Sequence, residues 1–142
     1  MTTNNKPARI LNDVKIKLAA LWGSLMLLYI YADILSLFRP GELQKIMEGN
    51  IGQLPVALPT ELFVDALLMI IPSMMVFLSV TMKPVVNRWT NIVLGIFYTL
   101  VNIGNLMGET WAYYITFGIV EIVITLLIIG YAWKWREVED QN

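Results

Sequence analysis

The chain has 142 residues, 57% of them hydrophobic and only 15% charged, a balance outside the range of a soluble domain this size and expected of one compact membrane domain. A formal net charge of -1 offers no field for nucleic acid, so no nucleic-acid partner is expected. With neither cysteine nor histidine, the chain excludes disulfides, thiolate chemistry, the usual zinc sites, imidazole catalysis and histidine-ligated haem, and no metal or cofactor is expected.

Residues 1–17 carry Lys6, Arg9, Lys15 and Lys17 against one acid, Asp13, with Pro7 interrupting any early helix; they read as a cytoplasmic N-terminal tail. An apolar run of spanning length follows without an A-x-A-like cleavage site, so it is expected to remain in the protein. This first span covers residues 18–38, with Asp33 five residues from its far end, and Arg39, Pro40 and Gly41 stop it. Residues 39–61 form a long extracytoplasmic loop in which ELQKIME, residues 42–48, has the pattern of two amphipathic turns at the interface. So long a loop in so small a protein is either a lid or a linker.

The second span, residues 62–82, holds Asp65 near its outer end and Pro72 at its centre. Pro72 removes a backbone hydrogen bond that Ser73 or a neighbouring helix must replace. The basic turn KPVVNR leads to the third span, residues 89–107, and a short turn leads to the fourth, residues 111–133. Each span matches the roughly 30 Å hydrocarbon thickness at about 1.5 Å per residue, and tryptophans bracket the fourth. Residues 134–142 form the C-terminal tail. Eight lysines and arginines fall in the two tails and the 83–88 turn, against Arg39 and Lys45 in the long loop, which puts both termini in the cytoplasm. The expected fold is therefore all-α, an integral membrane antiparallel four-helix bundle.

The polar residues of the spans recur at helical spacing. Asn91, Gly95, Tyr98, Asn102 and Asn105 share one face of the third span; Trp22, Met26, Tyr29, Asp33 and Ser36 share one on the first. Asp65, Met69, Pro72, Val76 and Ser79 do so on the second, and Tyr114, Phe117, Glu121 and Thr125 on the fourth. Counting from the outer ends puts Asn105 about 3 Å deep, Asp65 about 5 Å, Asn102 and Asp33 about 8 Å, and Glu121 about 15 Å. If these stripes meet, Glu121, Asp33, Asp65, Asn102 and Asn105, with Tyr29, Tyr98 and Tyr114, line a ligand-binding cavity open to the extracytoplasmic side.

A carboxylate at mid-membrane costs on the order of 2.5 to 3.5 kcal/mol, so Glu121 must face protein, water or ligand. No lysine or arginine lies at that depth, which leaves protonation, a bound cation or water as ways to keep three acids together. The plainer readings are that Asp33 and Asp65 pair with Arg39 or Lys45 at the loop, and that Asn102 and Asn105 join helices by hydrogen bonds worth about 0.6 kcal/mol each. Three functions follow: binding of a small molecule or cation, a non-catalytic subunit or scaffold, and an enzyme acting on lipid or quinone. The last lacks a nucleophile–base pair, so the reading leans away from an enzyme. Besides the lipid bilayer, the apolar outer faces suit both a lone bundle and a homo-oligomer.

YIYADILSLFRPG at the end of the first span, NRWTNIVLG opening the third, EI at residues 121–122 and YAWKW at the end resemble an uncharacterised family of small bacterial and archaeal four-span proteins. The likeness covers nearly the whole chain, and the layout is similar to the broader DoxX-like group. It implies a multi-pass protein of a prokaryotic cell membrane and brings no activity with it. The missing cysteines separate the chain from quinone-linked thiol enzymes built on a similar bundle.

Overall fold

A computed structural model describes residues 6–49 and 58–135. Among them five helices form and no strand: α1 (Lys6–Ser36), α2 (Glu42–Met47), α3 (Leu58–Thr81), α4 (Pro84–Leu106) and α5 (Ala112–Lys134). Residues 1–5, 50–57 and 136–142 lie outside the described residues, and with them fall the outer parts of both expected tails and the middle of the expected lid.

Helix α1 begins a dozen residues before the expected span. Pro7 does not interrupt it, because a proline in the first turn gives up an N–H that has no intrahelical partner there anyway. Helix α2 forms where ELQKIM was expected to, entered through Gly41 at φ 80°, a left-handed conformation that glycine adopts without cost. It buries no residue, and Lys45 pairs with its own Glu42 at 3.3 Å.

Pro72 stands fully buried inside a helix that continues past it. The carbonyl left free by its missing N–H is that of Leu68, four residues back, and the Tyr98 hydroxyl of α4 donates to it at 2.8 Å. The expected repair thus comes from the neighbouring helix. Ser73 donates instead to Met69.

Helix α1 packs against α3 and α5, and α5 against α4, while α3 and α4, though consecutive, touch only slightly. The core holds Leu18, Trp22, Leu25, Met75, Tyr98 and Ile128. Along α4 and α5 the register runs from Leu106 against Gly118, through Thr99 bonded to Thr125 at 2.8 Å, to Gly95 against Ile129. Both glycines mark close approach. A Cβ at Gly95 would stand 2.7 Å from Ile129 Cγ1.

Among the described residues three stretches are long and apolar enough to cross a membrane: Asp13–Ser36, Leu62–Thr81 and Ala112–Lys134. Helix α4, at 23 residues, falls outside that set. Its Asn87, Arg88, Asn91 and Asn102 lower its average hydropathy, and all four are buried.

Candidate functional site

At one end of the helices the interior amides are saturated by their neighbours. The Trp22 indole N–H, a donor only, donates to Asn91 Oδ1 at 2.7 Å, which fixes how that amide is turned. The Asn91 amide nitrogen donates to the Asn87 carbonyl at 2.8 Å and to Asn87 Oδ1 at 2.6 Å, and the Asn87 amide donates to the Ser79 carbonyl. Three helices are joined, and Asn87, Asn91 and Ser79 are wholly buried.

The other end is built differently. Tyr29 of α1 donates to Asn102 Oδ1 of α4 at 2.7 Å, but the other half of the amide, Asn102 Nδ2, is buried without a partner. Glu121 of α5 is only 6% exposed. Among the described residues its carboxyl makes neither a hydrogen bond nor a salt bridge, although Asp33 and the Tyr29 and Tyr114 rings lie within electrostatic reach. Asp33 in turn lies within reach of Asp65. Tyr98 joins the group beside Tyr29, its hydroxyl already committed to Leu68.

Asp33, Asp65 and Asn105 themselves are exposed on the protein surface. The plainer reading, in which Asp33 and Asp65 pair with Arg39 or Lys45, does not hold among the described residues. Arg39 bonds Glu109 at 3.0 Å and Lys45 turns to Glu42, because each has a carboxylate closer along the surface than those inside the spans.

Arg39 is the centre of a cluster that sequence spacing did not reveal. Its Nε donates to the Tyr113 hydroxyl at 2.6 Å, and its guanidinium stands 5.0 to 5.4 Å from the ring centres of Tyr114, Tyr113 and Trp111. Ser36 completes the join at 3.0 Å from Tyr113. Burial works against ionisation of Glu109. The backbone N–H groups of Trp111 and Thr110 and the Arg39 guanidinium outweigh it and hold the carboxyl below its ordinary range. The cluster ties the exit of α1 to the entry of α5. Through Tyr114 it sits directly beside the Glu121 group. The signal in the sequence was ETWAYY, aromatics and an acid in a short turn, with no spacing rule to connect it to an arginine 70 positions earlier.

Among the described residues no set of acids converges as a metal site needs. A concavity of about 670 Å³ opens beside α2, lined by Gly41, Leu43, Gln44, Met47 and Glu48, away from Glu121. The centre of the helix group is filled instead by Trp22 and Tyr98, whose rings meet edge to face at 5.7 Å.

Among the described residues the architecture is all-helical and compatible with membrane insertion, and it carries an interior carboxyl, that of Glu121, without a partner. Residues 10–141 match DUF6326, a family of unknown function, and the chain belongs to that family. No curated protein and no solved structure matches it.

Proposed function

We propose that the chain crosses a cell membrane four times as an antiparallel bundle with both termini cytoplasmic, and that it binds a small molecule or cation through Glu121. Asp33 and Asp65 stand nearer the extracytoplasmic mouth in this reading. The observation that carries it is Glu121, a residue only 6% exposed whose carboxyl has no partner among the described residues. A charge or polar group in that state is costly unless something completes it. A ligand with an ammonium or hydroxyl donor supplies what the carboxyl lacks, and the free Asn102 amide beside Tyr29 offers a donor to the same guest.

The count of four spans rather than three rests on the exposed side of α4, the third of them in chain order. Val85, Val93, Ile96, Phe97, Leu100 and Ile103 face outward while its asparagines face inward, so lipid would meet an apolar surface. The DoxX-like likeness, which rests on layout, and the prokaryotic setting, which rests on the resemblance of the motifs, belong to this proposal.

A second reading, a non-catalytic subunit or scaffold, is favoured by the packed aromatic centre. Binding of a fluorescent organic amine to purified protein separates the two. Saturable binding abolished by Glu121→Gln supports the ligand site, whereas no binding by a folded wild type favours the scaffold.

A further inference from the structure

We propose a second site, at the lysine- and arginine-rich end of the helices, where Arg88 and Trp135 receive a phosphate-bearing anion, the head group of an anionic lipid. Among the described residues, Arg88 is 8% exposed and its Nε meets no acceptor, and Trp135 is 2% exposed and its indole N–H meets none either. Both groups are donors only, so each needs an oxygen that the described residues do not provide. Leaving such a donor buried and unpaired costs about 1 to 3 kcal/mol.

The α4–α5 register brings the two together in height. With position 99 against 125 and 106 against 118, the same pairing continued to the helix ends brings Arg88 to within one residue of the height of Trp135. Arg88 also lies one turn inside the start of α4, whose cap, Lys83, makes no side-chain cap bond and leaves that helix end open to negative charge. Contacts fix which basic groups share this end. Lys15 donates to the carbonyls of Val80 and Met82, and Lys17 stands 5.6 Å over the Tyr131 ring. Lys83 and Lys134 are exposed there as well. Asp13, the acid nearest in sequence to Lys15, is exposed. Basic groups beside a hydrocarbon boundary attract anionic head groups, and two buried donors would give the phosphate a fixed seat.

The test is native mass spectrometry of the purified protein with phosphatidylglycerol or phosphatidylcholine of matched chains, comparing wild type, Arg88→Met and Trp135→Phe. Wild type should retain phosphatidylglycerol preferentially, and each substitution should weaken that retention about tenfold. Trp135→Phe keeps the ring and so reads the donor rather than the fold. Competition by inorganic phosphate at equal affinity would assign the seat to the free ion; its failure assigns it to the lipid. Equal retention by all three proteins overturns the proposal. So does a Glu137→Gln/Glu139→Gln/Asp140→Asn variant that loses as much thermal stability in lipid-free detergent as Arg88→Met, since the acceptor would then be the chain's own.

Discussion

The two ends of the helix interior use the same residue types to opposite effect. Around Asn91 and Asn87 the amide groups are answered by Trp22, Ser79 or each other, and the result is a closed, wholly buried network. Around Asn102 and Glu121, one amide nitrogen and one carboxyl are left open. Burying polar groups is costly unless they are bonded. The closed amide network therefore serves the fold, and the open group around Asn102 and Glu121 is where a guest could be gained.

That contrast can be broken from the saturated side. Asn91→Leu removes the acceptor of Trp22 and the donor to Asn87, and should lower stability by about 2 to 3 kcal/mol in detergent unfolding. If it costs nothing, the network is not a fold element. Tyr98→Phe strips the Leu68 carbonyl of the donor that replaces the Pro72 N–H, with an expected loss of about 1 to 2 kcal/mol by the same measurement. Adding Pro72→Ala in the same chain should recover part of it, since the helix then supplies its own N–H.

A smaller effect belongs to the mouth. Glu109→Gln should cost about 1 kcal/mol, the scale of a partly shielded ion pair. The folded Glu109 titrates below its ordinary value of 4.5. Its contribution is therefore complete above that pH and is lost as pH falls through the lower folded value. Wild type minus Glu109→Gln stability, followed by thermal unfolding from neutral pH downward, should shrink only in that acid window. A difference that stays constant there would contradict the role given to this carboxyl.

The smallest expected stability change is at the open end. Glu121→Gln keeps the shape and removes the charge, and with no bond to lose it should leave the thermal midpoint nearly unchanged. A large loss would mean that Glu121 is a fold element like Asn91.

Much of this was legible before any coordinates. The helical spacing of Asn91, Gly95, Tyr98 and Asn102 marked a face that is buried at every one of those positions, and ELQKIM was readable as a short helix. Helix α4 shows where averages mislead, because its interior asparagines and Arg88 dilute an apolar outer surface. What spacing could not give was pairing across long separations. Periodicity assigns a residue to a face but not a partner, so the links from Arg39 to Glu109 and from Tyr98 to Leu68 were invisible. Depth likewise left open how far Asp33, Asp65 and Asn105 are exposed, since distance from a span's end says nothing about rotation.

The central claim is that the Glu121 carboxyl is held open for a guest. Difference infrared spectroscopy of the purified protein, with and without organic amines and quinones, reads that group directly against Glu121→Gln. The account predicts a carboxyl band that shifts when one of these ligands is added and is missing from the variant. A Glu121 band indifferent to every ligand, in a wild-type protein as stable as its variant, would contradict it and leave the scaffold reading in its place.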